Sequence, residues 1–206
     1  NSFGECVGFS ARVLGKSDFA KYKNTAETIL FQKGRVVFGI NLVKALKQQG
    51  GLDKIIIVEG QIDVIAMHRA GFKSTVACMG TALTKENAHE LKKLSNNVVL
   101  CFDGDTAGVK ATIKSIDILK AEGFNTTVVS LPDKHDPDEI LKLYGKEYLQ
   151  NLINNALPVT DFLIKNEQKN YDLKKPNEKG KFALAALGFI AKIGSSSEED
   201  PYLEKV

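Results

Sequence analysis

The chain has 206 residues and a formal net charge of +3, and 43% of its residues are hydrophobic. This length suffices for one full-sized core and a small second unit. The longest apolar runs, such as KIIIVEG, are too short to cross a bilayer, and the opening NSFGECVGFS lacks the basic-then-apolar pattern of a signal peptide. These features predict a protein without a membrane partner, and a first residue other than Met predicts a piece of a longer chain.

The first 53 residues carry mixed strand and helix patterns. GECVGFSARVL is typical of an antiparallel strand or hairpin arm, and KGRVVFGINLVKALKQQGG predicts a helix that leads into a parallel strand. Residues 1–54 contain nine Lys or Arg against four Asp or Glu. A basic segment of this kind suits a polyanionic partner, although charge imbalances of this size are common in proteins of other functions.

From Lys54 to Leu131, strand and helix patterns alternate. The predicted strands are KIIIVEG, STVACMG, NNVVLCF and TTVVSL, and the predicted helices between them are IDVIAMHRAGF, TKENAHELKKL and TAGVKATIKSIDILKAEGF. Four short apolar strands separated by helices predict an α/β fold, with a parallel four-stranded sheet and helices on both faces. Right-handed crossovers then place the carboxyl ends of all four strands at one edge.

Helical patterns dominate the rest of the chain. They cover DEILKLYGKEYLQNLINNA, PVTDFLIKNEQKNY and KFALAALGFIAKIG, while DLKKPNEKG predicts a polar break and SSSEEDPYLEKV a turn before a last helix. We therefore predict three parts: a small basic α+β segment over 1–53, the sheet domain over 54–157 and a helical subdomain over 158–206.

The cysteines argue against two kinds of site. Cys6, Cys78 and Cys101 lie far apart and form no C-x-x-C pair, which disfavours a disulfide framework and a zinc site. Because Cys78 and Cys101 lie in apolar strand patterns, we expect buried thiols in a reducing cytoplasm.

Five carboxylates follow the predicted strands. Glu59 ends the first strand, Asp103 and Asp105 follow the third, and Asp136 and Asp138 follow the fourth. Open parallel sheets bind ligands at this edge, and like charges so close together raise the free energy unless a cation lies among them. Mg²⁺ prefers such oxygen ligands, and two ions about 4 Å apart catalyse phosphoryl transfer. The combination predicts a divalent-metal site, although D-x-D in turns and DPDE at helix starts are each common by themselves.

Several motifs resemble the Toprim catalytic domain of bacterial DnaG-type primases, the enzymes that make RNA primers for replication. In chain order they are VEGQIDVIAMHRAGF, MGTALT, CFDGDTAGVKAT and LPDKHDPDEIL. Upstream, GECVGFSARVL, KYKNTAET and FQKGRVVFGI resemble the segment that precedes Toprim in these primases. The resemblance spans about residues 4–150, and the helical tail is similar to the family's third subdomain with less specific motifs.

The resemblance implies DNA-directed RNA primer synthesis with Mg²⁺ or Mn²⁺, bound as two ions. Carried over by position, Glu59, Asp103 and Asp105 are metal-binding and catalytic, and Asp136 and Asp138 help to complete the metal site. The residues that correspond to template- or nucleotide-binding positions of the family are Arg12, Lys21, Tyr22, Asn24 and Lys33.

The partners implied by the resemblance are a single-stranded DNA template, ribonucleoside triphosphates, the RNA primer–DNA hybrid and the replicative helicase, all in the bacterial cytoplasm. Compared with the family, we expect the preceding zinc-binding module, part of the basic subdomain and the helicase-binding region to be missing from this chain. Gln61 also stands where the family usually has an aromatic residue, and Met79 where it often has Leu.

Two other interpretations use the same motifs. A Toprim nuclease or topoisomerase has similar carboxylates, but a topoisomerase needs a tyrosine nucleophile on a separate large domain, and none of the five tyrosines here lies in such a context. A non-catalytic Toprim module that only binds DNA tends to lose acidic ligands, whereas all of them are present here.

Overall fold

Two antiparallel strands and a short third strand precede the first helix. The computed structural model describes residues 1–13, 22–79, 82–132, 134–193 and 196–204. Strand β1 (Ser10–Arg12) pairs antiparallel with β2 (Tyr22–Asn24), as a hairpin arm would. The helix predicted over KGRVVFGINLVKALKQQGG is partly wrong, because its first part forms β3 (Val37–Phe38) and helix α1 covers only Ile40–Gln48. Gly39 separates the two with a φ of +85°, a conformation that glycine adopts without strain.

The predicted parallel sheet is present. Its strands lie in the order β3-β5-β4-β6-β7, with β4 parallel to both neighbours and β3 antiparallel to β5 at the edge. Because β4 is buried on both sides, its residues are apolar throughout. The parallel strands are β4 (Ile55–Val58), β5 (Thr75–Cys78), β6 (Asn97–Leu100) and β7 (Asn125–Val128), and the helices between them are α2 (Gln61–Arg69), α3 (Lys85–Lys92) and α4 (Thr106–Ala121).

Helices cover both faces of this sheet, which confirms the α/β prediction. The chain turns back between β5 and β6, so right-handed crossovers place α2 on one face and both α3 and α4 on the other. Alternate residues of β4 point to opposite faces of the sheet. On the α2 face, Ile56 and Val58 pack in the same apolar cluster as Val64 and Met67 of α2. Helix α5 (Pro137–Asn154) packs against α2 and adds Ile140, Leu149 and Ile153 to that cluster.

The described residues form two compact units, Asn1–Ala156 and Leu157–Val206. The finer division at residue 53 stays a prediction. The second unit is helical, and α7 begins at Pro176, inside the segment that was predicted as a polar break. That prediction is partly wrong: residues 172–175 do lie outside the helices, but α7 begins at Pro176 because proline suits the first turn of a helix, where its missing N–H is not needed. The elements of this unit are β8 (Leu157–Pro158), α6 (Val159–Gln168), α7 (Pro176–Ile190) and α8 (Ser196–Leu203).

Packing within the second unit runs from α6 to α7 and from α7 to α8. The Tyr202 hydroxyl also donates a hydrogen bond of 2.8 Å to the Asp161 carboxylate. Across the described ranges of both units, none of the helices combines the length and the apolar character that a membrane crossing requires.

Thr84 caps helix α3 and also contacts the N-terminal segment. Its hydroxyl accepts a hydrogen bond from the Asn87 backbone N–H (3.1 Å) at the start of α3 and donates one of 2.6 Å to the Gly34 carbonyl. One side chain therefore caps a helix and holds a loop 50 residues away in the chain.

We expect Thr84→Ala to lower the free energy of unfolding by about 1–2 kcal/mol, because it removes both hydrogen bonds. Urea denaturation measures the change. Thr84→Ser is the matched control, since it keeps the hydroxyl and should lose much less stability. Equal loss in the two variants would show that the Thr84 methyl group, and not the hydroxyl, carries the effect.

Candidate active site

The acidic residues gather where adjacent parallel strands end. Glu59 directly follows β4, and Asp103 follows β6 after two residues. These strands are neighbours, with Ile57 in register with Leu100. The pairing therefore brings the chain segments that carry Glu59 and Asp103 side by side.

A hydrogen bond joins the two segments directly. The Asp103 backbone N–H donates to Glu59 Oε1 at 3.0 Å, so the Glu59 side chain points toward the Asp103–Asp105 turn. This contact satisfies a backbone donor just beyond the sheet and fixes the Glu59 carboxylate beside a second acidic side chain.

Two glycines allow this close approach. A Cβ atom at Gly104 would lie 2.3 Å from the Pro132 carbonyl oxygen, and one at Gly108 would lie 2.2 Å from the Asp103 carbonyl oxygen. Gly104 also donates its N–H to the His135 carbonyl oxygen at 3.0 Å. The turn after β6 is thereby packed against the loop that leads to Asp136.

The carboxylates interact unfavourably with one another. Burial, and then the charges of Glu59, Asp63, Asp136 and Asp105, raise the pKa of Asp103 to about 7. Burial and the charge of Asp105 raise the pKa of Glu59, although the hydrogen bond from Asp103 lowers it. Ionising these groups together costs free energy that a bound cation would offset.

Asp63 belongs to the same group, and the sequence analysis did not include it among the site residues. It lies in the first turn of α2 and is only 8% exposed. Its carboxylate accepts hydrogen bonds from the backbone N–H groups of Gly60 (3.2 Å) and Asp138, while burial and Asp136 raise its pKa to about 6. Its position four residues after Glu59, at a helix start that follows a strand, was the available signal.

The other three predicted acidic residues have structural partners. Asp105 and Asp136 are N-caps: Asp105 Oδ1 accepts from the Gly108 N–H at 2.8 Å, and Asp136 Oδ1 accepts from the Glu139 N–H at 2.7 Å. Asp138 forms an ion pair with Lys142. Each cap uses one carboxylate oxygen in these hydrogen bonds, so both motifs also act as helix starts.

The donor set fits a hard divalent cation. Asp103 Oδ1 is buried and has no hydrogen-bond partner among the described residues, as expected of an oxygen that a cation would bind. Within the described ranges, no three His, Cys, Asp or Glu side chains lie close enough together to hold an ion by themselves. Mg²⁺ does not require three, because it keeps several waters and binds through one or two carboxylates and substrate phosphates.

The predicted nucleic-acid-binding residues are only partly described. Arg12 lies opposite Tyr22 in the β1–β2 pair, and Asn24 lies opposite Ser10. Asn24 Oδ1 is buried without a partner in the described part of the chain. Lys21 lies outside the described residues, and of Tyr22 only the strand position is described. The backbone N–H of Lys33 donates to Glu27 at 3.0 Å.

We expect Gly108→Ala to destabilise the first unit by about 1–3 kcal/mol, because the new methyl group would lie 2.7 Å from Glu59 Oε1 as well as against the Asp103 carbonyl. The matched control is Gly180→Ala in α7, where a Cβ would meet nothing within 4 Å and should raise helix stability by up to about 1 kcal/mol. Thermal unfolding of both variants tests this, and a stabilising effect of Gly108→Ala would contradict the tight geometry.

Without metal, Asp103→Asn should stabilise the chain at pH 8 and not at pH 4. The folded-state pKa of about 7 exceeds the ordinary value of 3.8, so the folded state retains a proton that the unfolded state has lost. The free energy of unfolding therefore falls as the pH rises from the lower of these pKa values to the higher one. The neutral amide of the variant does not titrate, so the variant does not lose this stability.

The gain at pH 8 should be about 1–2 kcal/mol after discounting for solvent screening, with about 2–4 °C in Tm for each kcal/mol. Melting curves in EDTA from pH 4 to pH 8 measure it, with Asp117→Asn on the exposed side of α4 as the control. Mg²⁺ added at pH 8 should raise the Tm of the unsubstituted chain more than that of Asp103→Asn. A pH-independent difference would rule out the carboxylate repulsion.

Three family models match successive parts of the chain. Residues 1–44 match the model described as the N-terminal domain of the DNA primase catalytic core, and residues 56–141 match a Toprim-like model. Residues 160–206 match the DnaB-helicase binding domain of primase. The expectation that a helicase-binding region is missing from this chain is therefore wrong.

Known proteins are similar along the whole chain. The DNA primase of Clostridium acetobutylicum is 39% identical over 203 residues, which are 98% of this chain and 33% of that protein. The DNA primase of Halalkalibacterium halodurans is 34% identical over 208 residues, which are 100% of this chain and 34% of that protein. This chain thus spans about a third of the length of the curated relatives that it matches.

A solved structure agrees with these matches. The RNA polymerase domain of Mycobacterium tuberculosis primase DnaG is 30% identical, with a TM-score of 0.82 over 100% of this chain and 67% of that one. The sequence, the sheet with its acidic edge and the structural match lead to one conclusion: the chain belongs to the family of bacterial DnaG-type primases.

Proposed function

We propose that this chain carries the nucleotidyl-transfer centre for DNA-directed synthesis of RNA primers during replication in the bacterial cytoplasm. The observation that supports this most directly is the Glu59–Asp103 hydrogen bond, which places two carboxylates of raised pKa at the edge of a Toprim-like sheet. The family membership supplies the reaction: primases of this kind join ribonucleotides on a DNA template.

Glu59, Asp103 and Asp105 would hold Mg²⁺ or Mn²⁺ as two ions, with Asp136 and Asp138 completing the acidic site. Bound divalent cations supply charge neutralisation for the triphosphate and lower the pKa of the attacking 3′-hydroxyl. In the reaction, the 3′-oxygen of the primer forms a bond to the α-phosphorus of the next ribonucleotide, and the bond from that phosphorus to the pyrophosphate breaks. The chain's own residues fix the geometry: Asp103 lies against Glu59, and Gly104 and Gly108 keep side chains out of the space between these turns.

The basic first part of the chain would hold the template and the incoming nucleotide. Residues 1–54 have nine cationic against four anionic side chains, and phosphate contacts from Lys and Arg give affinity without sequence preference. A solved DnaG primase catalytic domain bound to single-stranded DNA has a TM-score of 0.77 and 29% identity over 100% of this chain and 66% of that one. We propose template or nucleotide contacts for Arg12, Lys21, Tyr22, Asn24 and Lys33, and the RNA primer–DNA hybrid as the product that leaves the site.

The helical unit is the part of the chain that we propose for helicase contact. Its residues 160–206 match the helicase-binding model, and the compact unit Leu157–Val206 contains that whole segment. We therefore propose template binding for residues 1–53, nucleotidyl transfer for residues 54–157 and helicase binding for residues 158–206.

Asp103→Ala should abolish ribonucleotide addition while leaving the fold intact, because Asp103 Oδ1 is a buried carboxylate oxygen without a hydrogen-bond partner among the described residues. The assay follows a labelled ribonucleotide on single-stranded DNA template with Mn²⁺, and circular dichroism verifies the fold. Asp117→Asn, on the exposed side of α4, is the charge-matched control and should keep activity.

Undiminished primer synthesis by Asp103→Ala would overturn the assignment. Template cleavage by the unsubstituted chain, without product growth, would favour a Toprim nuclease instead. Template binding without either reaction would favour a non-catalytic DNA-binding module.

A further inference from the structure

Two tyrosine rings lie together on the exposed side of α5. The ring centroids of Tyr144 and Tyr148 are 4.9 Å apart, with 33° between the ring planes. Tyr144 is 50% exposed and Tyr148 is 39% exposed. Neither the carboxylate chemistry nor the core packing uses these rings, although large aromatic surfaces are usually buried.

A third ring connects this pair to the carboxylate edge. The His135 ring lies 6.1 Å from the Tyr144 ring, edge to face at 61°. The carbonyl of the same histidine accepts the Gly104 N–H at 3.0 Å, and Asp136 is the next residue. The aromatic row His135–Tyr144–Tyr148 therefore begins at the acidic turns and leads away from them.

The backbone between the tyrosines is interrupted. Gly145 has a φ of +82° and a ψ of +177°, so α5 consists of two helical segments that meet between the rings. The rings thus belong to different segments, each anchored by core residues: Ile140 in the first, and Leu149 and Ile153 in the second. Anchoring on both sides holds the pair at a defined separation.

Charged residues of both signs lie close to the rings in the chain, and Glu139 and Glu147 are among the acidic ones. Lys134, Lys142 and Lys146 are exposed within the same stretch of chain, and Lys142 pairs with Asp138. Sites for single-stranded nucleic acid combine basic groups for the backbone with aromatic faces for the bases, since every base has a face that can stack. The core of a protein–protein interface is depleted of charged residues, whereas here charged residues occupy positions 142, 146 and 147.

We propose that Tyr144 and Tyr148 form a stacking platform for unpaired nucleobases of the polynucleotide strand that enters or leaves the carboxylate edge. The identity of that strand rests on the proposed primer-synthesis function. The stacking itself rests only on the rings, their exposure and their connection to the Asp103–Asp105 turn.

The test is the binding of labelled oligonucleotides, one of deoxythymidine and one of uridine of equal length, measured by fluorescence anisotropy. The Tyr144→Ala/Tyr148→Ala variant should bind about tenfold more weakly, the loss expected when base stacking is removed. The Tyr144→Phe/Tyr148→Phe variant keeps both rings and should bind like the unsubstituted chain. Leu143→Ala, at a neighbouring side chain that is 64% exposed, controls for the loss of apolar surface.

The salt dependence separates stacking from phosphate contacts. Removing the rings should leave the slope of log K against log [salt] unchanged, because no cationic side chain is lost. Weaker binding of the DNA oligonucleotide alone assigns the platform to the template, and weaker binding of the RNA oligonucleotide alone assigns it to the primer. Weaker binding of both supports a shared surface. Undiminished binding of both oligonucleotides by the double alanine variant would overturn the proposal, as would an equal loss in Leu143→Ala.

The measurement is made in EDTA and without nucleoside triphosphates, so it reports strand binding whether or not the chain polymerises. A failed primer-synthesis assay together with ring-dependent binding would reject the proposed reaction and keep the platform. Thermal melting verifies the folding of each variant, and the two single alanine substitutions replace the double variant if it melts at a lower temperature.

Discussion

The hydrogen bond from the Asp103 backbone N–H to Glu59 Oε1 is the contact on which the acidic edge depends. It connects the turns that follow two adjacent parallel strands and keeps the Glu59 carboxylate where its negative charge repels that of Asp103. Together with burial, repulsion between the carboxylates raises the pKa values of both side chains. An arrangement that is unfavourable for the protein alone would become favourable if divalent cations neutralised it.

Backbone contacts hold the carboxylates together although they repel one another. Gly104 and Gly108 leave room for carbonyl oxygens that any side chain would displace, and the Gly104 N–H ties the turn after β6 to the loop before α5. Asp63 accepts the backbone N–H of Asp138 and so connects the start of α2 with the start of α5. The helix caps Asp105 and Asp136 stabilise the same helix starts that bring acidic side chains to the edge. Capping and function are therefore compatible, because a carboxylate has a second oxygen.

The polymeric nature of the proposed substrate agrees with the distribution of the other features. The excess of cationic over anionic side chains lies in residues 1–54, and exposed rings follow the last acidic pair. A small substrate would need contacts only at the edge, whereas a strand with its template extends beyond it in both directions. The Tyr144–Tyr148 pair is a property of this chain's α5, where Gly145 separates two anchored helical segments.

Sequence alone determined the alternation of strands and helices, the common edge and the acidic residues that follow β4, β6 and β7, because local periodicity and the handedness of crossovers are properties of short segments. It misplaced β3 within a helix, since Val37 and Phe38 become a strand only by pairing with β5 at the sheet edge. It also extended the polar break DLKKPNEKG into α7, which begins at Pro176. Only the tertiary structure decided which side chains meet: the buried Asp63, the Glu59–Asp103 hydrogen bond and the His135–Tyr144–Tyr148 row all join residues through space. Such contacts depend on strand order and on loop packing, which no local pattern encodes.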